Sequence, residues 1–289
     1  MQVLVPVRSG RSIATALVVA VLTLAGCSSP PPAAQPGPTP VTAAATTTAA
    51  TTPPATASPA TASPPVARAR AGVAGAVVVL DPGHDGGNGA HPAQVAAPVP
   101  DGRGGTKACN TTGTSTDAGY PEHAFTFAVA TETAQLLTAQ GVTVQLTRPD
   151  DTGAGPCVDQ RAATGNRAGA DVVVSIHGDG AAASGHGFHV AYSSPPLNPT
   201  QSGPSPSLAR TVRDTLVAEG LTPSTYLGDH GLDPRADLAG LNLSTQPTVL
   251  VELANLRNAG DAAAASSAEG RGAFARALAD AVLGWLAAR

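Results

Sequence analysis

Residues 76–88 of this chain read Ala-Val-Val-Val-Leu-Asp-Pro-Gly-His-Asp-Gly-Gly-Asn. The apolar, mostly β-branched start of the stretch predicts a buried strand, and Asp-Pro-Gly predicts a turn that presents His84 at the end of that strand. A lone histidine in such a place is usually only a polar turn residue. Two later runs, at residues 172–177 and 249–252, follow the same pattern and end on a histidine and on a glutamate. The repetition favours a shared site at one edge of a sheet.

Strand-like and helix-like segments alternate along the chain. The predicted strands after the first span residues 142–147, 172–176, 187–192 and 248–253, and Leu238, Leu241 and Leu243 are expected in an edge strand or a groove wall. The predicted helices span residues 120–140, 157–168, 207–219 and 271–288. We therefore predict a single α/β domain with a mostly parallel, mixed sheet of about six strands flanked by helices.

The N-terminus resembles an export signal. Arg8 and Arg11 precede an apolar run at residues 13–24, which is too short to span a bilayer. The run leads into Leu-Ala-Gly-Cys at residues 24–27, which resembles the lipobox of bacterial lipoproteins and predicts lipidation of Cys27. An ordinary signal peptide with a chance cysteine is the alternative. In both cases we expect the mature protein to be exported.

The composition divides the chain into three parts. Residues 1–27 are the predicted lipoprotein signal peptide. Residues 28–71 are almost wholly Pro, Ala, Thr and Ser, and because such a segment cannot bury enough apolar surface to become ordered, we expect a disordered linker. Residues 72–289 remain for the globular, catalytic domain. We expect a monomer in the cell envelope that is attached to the outer face of the cytoplasmic membrane only by its lipid anchor.

Cysteine usage supports an oxidising compartment. With Cys27 assigned to the signal, Cys109 and Cys157 remain as an even pair, and we predict a disulfide between them. This disulfide would pin a long predicted loop at residues 86–119. Two thiolate metal ligands are the alternative, but neither cysteine has a second ligand at the spacing of a zinc finger.

Charge and aromatic content argue against a nucleic-acid partner. The formal net charge is −4, and 3% of the residues are aromatic. Nucleic-acid-binding proteins usually show a basic stripe or aromatic residues that stack on bases, and the sequence has neither pattern.

Four polar residues at the ends of predicted elements indicate hydrolytic chemistry. His84 and His177 each follow a buried run. Glu252 ends a third run, and Glu122 opens a helix, where the helix dipole alone would favour a carboxylate. Two imidazoles and one carboxylate are a common ligand set for catalytic zinc, and a second carboxylate can move protons during hydrolysis. The residues alone leave a zinc hydrolase and a set of structural polar groups equally open.

The order of these motifs resembles the zinc-dependent N-acetylmuramoyl-L-alanine amidases. The resemblance rests on Val-Leu-Asp-Pro-Gly-His at residues 79–84 and on Glu122 at the start of a helix. It continues with Ala-Asp and Ser-Ile-His within residues 170–177, and with Val-Leu-Val-Glu at residues 249–252. It covers nearly the whole predicted globular domain, and the cysteine-bearing loop resembles that of exported actinobacterial members.

The resemblance implies a role for each of the four residues. His84, Glu122 and His177 would hold a Zn²⁺ ion, and Glu252 would be the catalytic glutamate. The implied reaction is hydrolysis of the amide between N-acetylmuramic acid and L-alanine in peptidoglycan, for cell-wall remodelling or turnover. The alternatives are another zinc hydrolase of cell-wall material, such as a peptidase or deacetylase, and a lipoprotein that binds peptidoglycan without cutting it.

Other polar residues are expected to have lesser roles. Arg148, Arg161 and Asn166 fall where the family has an arginine-and-asparagine helix, and we interpret them as structural. At Asp179, where the family often has asparagine, the change could alter substrate contacts near the metal.

Three further histidines are not expected to bind the metal. His123 follows Glu122, but neighbouring helical positions point about 100° apart, so the two side chains cannot easily share an ion. His186 and His189 fall on a different predicted strand from His177, and we expect them at the surface or in the groove wall.

Overall fold

The computed structural model describes residues 72–289, so the predicted signal peptide, the linker and Cys27 lie outside the described residues. In chain order the strands are β1 Val77–Pro82, β2 Pro98–Pro100, β3 Thr106–Ala108, β4 Thr143–Leu146, β5 Val172–Asp179, β6 His189–Ser193, β7 Leu232–Arg235 and β8 Thr248–Asn255. The α-helices are α1 Pro92–Val95, α2 Glu122–Thr138, α3 Val158–Ala168, α4 Pro199–Ser202, α5 Pro204–Ala218, α6 Ala239–Asn242, α7 Ala259–Ser266 and α8 Ala268–Ala287. Among these helices, none combines the length and the apolar character needed to cross a bilayer.

A six-stranded sheet with the order β4-β1-β5-β8-β6-β7 forms the centre of the domain. All neighbouring strands are parallel except β6 and β8, which are antiparallel. The predicted α/β domain with a mostly parallel, mixed sheet is therefore confirmed. Because β1, β5 and β8 are adjacent and parallel, their carboxyl ends meet at one edge of the sheet.

The two faces of the sheet have different environments. Side chains such as Leu80, Ile176 and Val251 belong to the main hydrophobic core, which is covered by α2, α5 and α8; we call this side the core face. Residues that alternate with them point the other way, toward α3 and α6, because successive side chains of a strand lie on opposite faces. This second side, which includes Val173 and Leu250, is the groove face.

Two strands extend further than the sequence predicted. β5 continues through His177 to Asp179, and β8 continues through Glu252 to Asn255. The pairing of His177 with Glu252 and of Asp179 with Asn255 prolongs the ladder. His177 therefore lies within its strand rather than after it, Glu252 lies further from the end of its strand than predicted, and the backbones of both are held by sheet pairing.

Three regions that the sequence assigned mainly to loops contain further elements. The loop predicted at residues 86–119 contains a 3₁₀ turn at Asn88–Ala90, α1 and the β2–β3 hairpin. The edge strand is β7, whereas Leu238 and Leu241 lie at α6 and line the groove; Leu243 follows α6 and does not line it. The proline-rich stretch before the predicted helix at 207–219 contains α4 and the start of α5, since proline is tolerated in the first turn of a helix.

Candidate active site

Three polar side chains converge at the carboxyl ends of β1 and β5. His84 lies in the turn after β1, Glu122 is the first residue of α2, and His177 lies within β5. One ligand atom of each residue lies within 4.8 Å of those of the other two. The Glu122 Oε1 atom is 3.0 Å from His177 Nδ1 and 3.1 Å from His84 Nε2. The three residues that the sequence proposed as metal ligands are thus brought together.

The turn that carries His84 has an unusual backbone. His84 has a φ of 60°, in the left-handed region that residues other than glycine rarely adopt. A Cβ atom on the preceding Gly83 would lie 2.3 Å from Cε1 of His177. The close approach of the turn to the second histidine therefore requires glycine at position 83.

Backbone groups around this cluster fix the orientation of its side chains. The carbonyl of Thr111 accepts a hydrogen bond of 3.0 Å from His84 Nδ1. Because a carbonyl can only accept, Nδ1 carries the proton and Nε2 presents its lone pair to the cluster. The backbone N–H of Thr114 donates to Glu122 Oε2 at 2.9 Å, and that of Gly178 donates to Oε1 at 3.1 Å. Outer hydrogen bonds of this kind are typical of metal-binding side chains.

The charge of Glu122 also suits a cation. Burial alone would raise the pKa of this carboxyl, but the imidazoles of His177 and His84 beside it lower the pKa overall. Glu122 is therefore a carboxylate. One carboxylate oxygen and two imidazole nitrogens match the donor set of a catalytic zinc site, which leaves a coordination position for water or substrate.

Glu252 lies beside this cluster on the neighbouring strand. It pairs in register with His177, and its side chain lines the same cavity as the three clustered residues. Within the described part of the chain, its Oε2 atom is buried without a hydrogen-bond partner. Burial raises the pKa of the Glu252 carboxyl well above its usual value, and the negative charges of Glu122 and Asp179 raise it further. A buried carboxyl with a raised pKa is suited to taking up and returning a proton.

A cavity of about 380 Å³ extends from these residues along the groove face. Its polar end holds the three clustered side chains and Glu252. Its inner end is more apolar, with Val173 and Leu250 on the sheet and Leu241 at α6. Lys107 on the β2–β3 hairpin and Asp179 on β5 also line it. The cavity is large enough for part of an extended substrate to reach the cluster.

The predicted disulfide between Cys109 and Cys157 is present in the structure. It joins the end of the β2–β3 hairpin segment to the residue before α3. The segment that follows Cys109 carries Thr111 and Thr114, which hold His84 and Glu122. The disulfide therefore restrains the loop that orients two of the clustered side chains.

A buried ionic network supports the inner end of the groove face. The Oδ1 atom of Asp81 accepts hydrogen bonds from Arg161 Nη1 at 2.8 Å and from Thr147 Oγ1 at 2.5 Å. Its Oδ2 atom accepts a hydrogen bond of 2.7 Å from Ser175 Oγ. Burial alone would raise the pKa of Asp81, but the positive charge of Arg161 and these hydrogen bonds lower it overall. Arg161 also donates to the carbonyl of His84 at 2.6 Å. Its guanidinium thus joins the end of β1 to the turn, as a structural residue would.

The other two residues interpreted as structural also connect separate segments. Arg148 is 1% exposed and donates to the carbonyls of Pro82 and His123. Asn166 on α3 donates to the carbonyl of Leu243 and accepts from the backbone of Thr245. Neither contact involves the clustered side chains.

His189 departs from the sequence expectation. We expected it at the surface or in the groove wall, but it is 2% exposed and belongs to the interior. Burial lowers its pKa, so the imidazole is neutral. His186 is partly exposed, and His123 Nδ1 pairs with Asp151 at 2.7 Å, outside the cluster. No local pattern around His189 indicates that β6 would turn its side chain inward.

Thr111 and Thr114 were missed by the sequence analysis. Both act on the site through backbone atoms, so their side chains carry no recognisable pattern. The available signal was the loop itself, which is long, rich in glycine and joined to α3 by the cysteine pair. Gly113 in this loop has a φ of 76°, and a Cβ there would lie 2.7 Å from Glu122 Oε2.

Comparison with known proteins agrees with this geometry. The family described as Amidase_3, N-acetylmuramoyl-L-alanine amidase, matches residues 78–283. The N-acetylmuramoyl-L-alanine amidase Rv3717 of Mycobacterium tuberculosis is 51% identical over 217 residues, which cover 75% of this chain and 89% of the relative.

Two crystal structures of similar proteins share the fold. The N-acetylmuramyl-L-alanine amidase Ami1 from Mycobacterium smegmatis is 49% identical, with a TM-score of 0.74, and the match covers 76% of this chain and 100% of that one. The apo form of Ami1 from Mycobacterium abscessus is 52% identical, with a TM-score of 0.72, and the match covers 74% and 100% of the two chains. The family match, the high identity and the shared fold together show that this chain belongs to the N-acetylmuramoyl-L-alanine amidase family.

Proposed function

We propose that this cell-wall amidase uses a zinc ion held by His84, Glu122 and His177, with Glu252 as its catalytic glutamate. The observation that carries the proposal is the convergence of three ligand atoms within 4.8 Å, beside a carboxyl whose Oε2 atom is buried. When bound, zinc supplies a Lewis acid that polarises an amide carbonyl and makes water more acidic. The substrate bond is the amide between N-acetylmuramic acid and L-alanine in peptidoglycan.

The side chains of this protein would perform the proton transfers. Glu252 takes a proton from water as the water oxygen attacks the carbonyl carbon. When the carbon–nitrogen bond breaks, Glu252 returns that proton to the leaving nitrogen of L-alanine. The products are a lactyl carboxylate on the sugar and a stem peptide with a free amine. The raised pKa of Glu252, for which burial is the first cause, makes its carboxylate a stronger base toward the attacking water.

The outer hydrogen bonds support the assignment of ligand roles. Thr111 keeps the proton of His84 on Nδ1, so Nε2 remains available to a metal. Thr114 and Gly178 donate to the two oxygens of Glu122 and keep its carboxylate in place. The candidate atoms of His84 and Glu122 are thus oriented before an ion binds.

The same proposal extends to the N-terminal part of the chain. An exported cell-wall enzyme agrees with the signal at residues 1–27, and lipidation of Cys27 would attach it to the membrane. The linker at residues 28–71 would let the catalytic domain reach the wall polymer as a monomer. Mass spectrometry of the mature N-terminus and sedimentation of the purified protein test these points; an unmodified cysteine or a stable dimer would contradict them.

The decisive experiment combines metal analysis with product analysis. We expect the wild-type protein to hold one zinc per chain and to release stem peptides that begin with L-alanine from intact sugar. Glu252→Ala should keep the zinc and lose the cleavage. Cleavage within the peptide, removal of acetyl groups, or binding without products would reject the proposed reaction. Unchanged cleavage by Glu252→Ala would reject the role of this residue.

A further inference from the structure

His189 lies directly beside Glu252 on the far side from the metal cluster. β8 runs between β5 and β6, and His189 pairs in register with Glu252 in the antiparallel ladder. Directly opposed residues of such a pair project from the same face, with Cβ atoms about 5 Å apart. Glu252 lines the cavity, whereas His189 is 2% exposed. The imidazole is therefore buried next to the carboxyl and behind it.

Each of these two side chains carries an unpaired polar atom. Glu252 Oε2 and His189 Nδ1 are both buried, and neither has a hydrogen-bond partner among residues 72–289. Buried polar atoms are nearly always paired in folded proteins, so two unpaired atoms on opposed residues are unusual. The ladder holds the backbones of the two residues opposite each other. Rotation of the side chains can therefore bring the Nδ1 donor of His189 to the Oε2 acceptor of Glu252.

The surroundings of His189 leave its Nδ1 atom free for this purpose. Its Nε2 atom is 3.9 Å from Asp233 Oδ2, which is beyond hydrogen-bond distance. That carboxylate oxygen already accepts a hydrogen bond from Arg235 Nη1 at 3.2 Å. The ring of Tyr226 meets the imidazole edge to face, with 6.0 Å between centroids. The imidazole is thus held mainly by packing, and its Nδ1 atom is unpaired within the described domain.

We propose that His189 is a positioning residue that donates a hydrogen bond from Nδ1–H to Oε2 of Glu252. The inference rests on the proposed function, in which Glu252 is the catalytic glutamate. With Oε2 held from behind, Oε1 faces the cavity, takes the proton from water and returns it to the leaving nitrogen. The imidazole proton stays on Nδ1 throughout. His189 therefore acts on the orientation of Glu252 and touches neither metal nor substrate.

The hydroxyl of Tyr226 is the competing donor. It is buried and unpaired in the same region. Burial raises the pKa of this phenol, and the neighbouring carboxylates of Asp179 and Glu252 raise it further. We assign the imidazole to Glu252 because the antiparallel ladder places these two residues directly opposite each other.

The test compares His189→Leu with His189→Asn in the full-length, zinc-loaded enzyme. Leucine keeps the bulk of the ring and lacks a donor, whereas the asparagine amide places a donor near the position of Nδ1. For the leucine variant we expect kcat to fall about 10- to 100-fold, the value of one hydrogen bond to a charged group. KM, zinc content and Tm should stay near the wild-type values, and asparagine should restore most of the lost kcat. His186→Asn, on the same segment but outside the cavity, is the matched control and should leave kcat unchanged.

Several outcomes would overturn the inference. A wild-type kcat for His189→Leu would do so, and so would a loss of zinc that tracks the loss of kcat. An asparagine variant that folds but is as slow as the leucine variant would show that ring shape matters and the donor does not. If kcat fell in Tyr226→Phe but not in His189→Leu, the residue that positions Glu252 would be Tyr226 and not His189. If leucine prevents folding, the asparagine variant decides: near-wild-type kcat supports the donor and a large loss rejects it.

A double-mutant cycle separates this inference from the proposed function. If His189 acts through Glu252, His189→Leu should cause no further loss in a Glu252→Gln background. A further fall in kcat of the double variant would contradict the positioning role of His189 but would leave the proposed function intact. Full activity of Glu252→Gln would instead reject the proposed function, whatever the His189 variants show.

Discussion

The two faces of the central sheet use the same strands for different purposes. On the core face, Leu80, Ile176 and Val251 are completely buried against α2, α5 and α8. On the groove face, the alternate positions of β5 and β8 carry His177 and Glu252 at the edge of a cavity. One strand therefore supplies both stability and chemistry, separated by the two-residue period of its side chains. If this division holds, substitutions at the polar end of the groove face should change activity without stability, and substitutions on the core face should do the reverse.

Glu252→Gln should produce the largest effect and change chemistry alone. The amide preserves the shape of the side chain but cannot accept a proton from water, so we expect kcat to fall about 10²- to 10⁴-fold. Zinc content and the free energy of unfolding should remain close to wild type. Kinetics on muropeptides, with thermal unfolding as the control, check this. A large loss of stability would show that the groove face also supports the fold at this position.

Asp81→Asn tests whether the inner end of the groove face is structural. The substitution leaves the buried Arg161 guanidinium without its anionic partner, so the free energy of unfolding should fall by about 3–5 kcal/mol. Chemical denaturation measures the change. A loss below about 1 kcal/mol would contradict the structural role.

The pH dependence of this pair adds a second check. Asp81 has a lowered pKa in the folded protein, so its carboxylate contributes stability above the unfolded pKa of about 4. That contribution should disappear as the pH falls through the lower, folded-state pKa. The stability difference between wild type and Asp81→Asn should therefore be constant near neutral pH and shrink only in acid. A difference that shrinks between pH 6 and pH 8 would contradict this, since Asp81 would then titrate far above about 4.

Leu278→Ala tests the core face. Leu278 on α8 is completely buried in the main core, and its truncation should lower the free energy of unfolding by about 3 kcal/mol. At a temperature where the variant is folded, kcat and zinc content should match wild type, because the helix lies on the face opposite the cavity. A fall in kcat of the folded variant would show that the two faces are coupled.

Replacing both Cys109 and Cys157 by serine should lower stability less than Asp81→Asn or Leu278→Ala does. The disulfide closes a loop with a sequence separation of 48. The chain-entropy model limits the resulting loss in the free energy of unfolding to about 4 kcal/mol. We expect a loss of about 2 kcal/mol, because hydrogen bonds also hold the loop. Zinc affinity should fall about 10-fold, since the loop orients His84 and Glu122 through Thr111 and Thr114. Competition with a chelator measures this affinity, and an unchanged value would separate the disulfide from the site.

The sequence was most informative where chemistry follows a regular pattern. The apolar run before Asp-Pro-Gly-His predicted β1, and the repeated pattern at His177 and Glu252 predicted two further strands that share a site with it. It was least informative where the contribution comes from the backbone. Thr111 acts through a carbonyl, and the ladder that extends β5 beyond His177 depends on a partner strand more than 70 residues away. His189 was misjudged because its burial depends on packing against β8, which no local pattern encodes.

The central claim is that the groove face holds one metal ion between His84, Glu122 and His177. The most direct measurement is the zinc content and affinity of the full-length protein, compared with His177→Ala and with His186→Ala as a matched histidine control. The account predicts one tightly bound zinc per wild-type chain, the same for His186→Ala, and loss of binding and muropeptide cleavage for His177→Ala. Wild-type zinc binding by His177→Ala would contradict it.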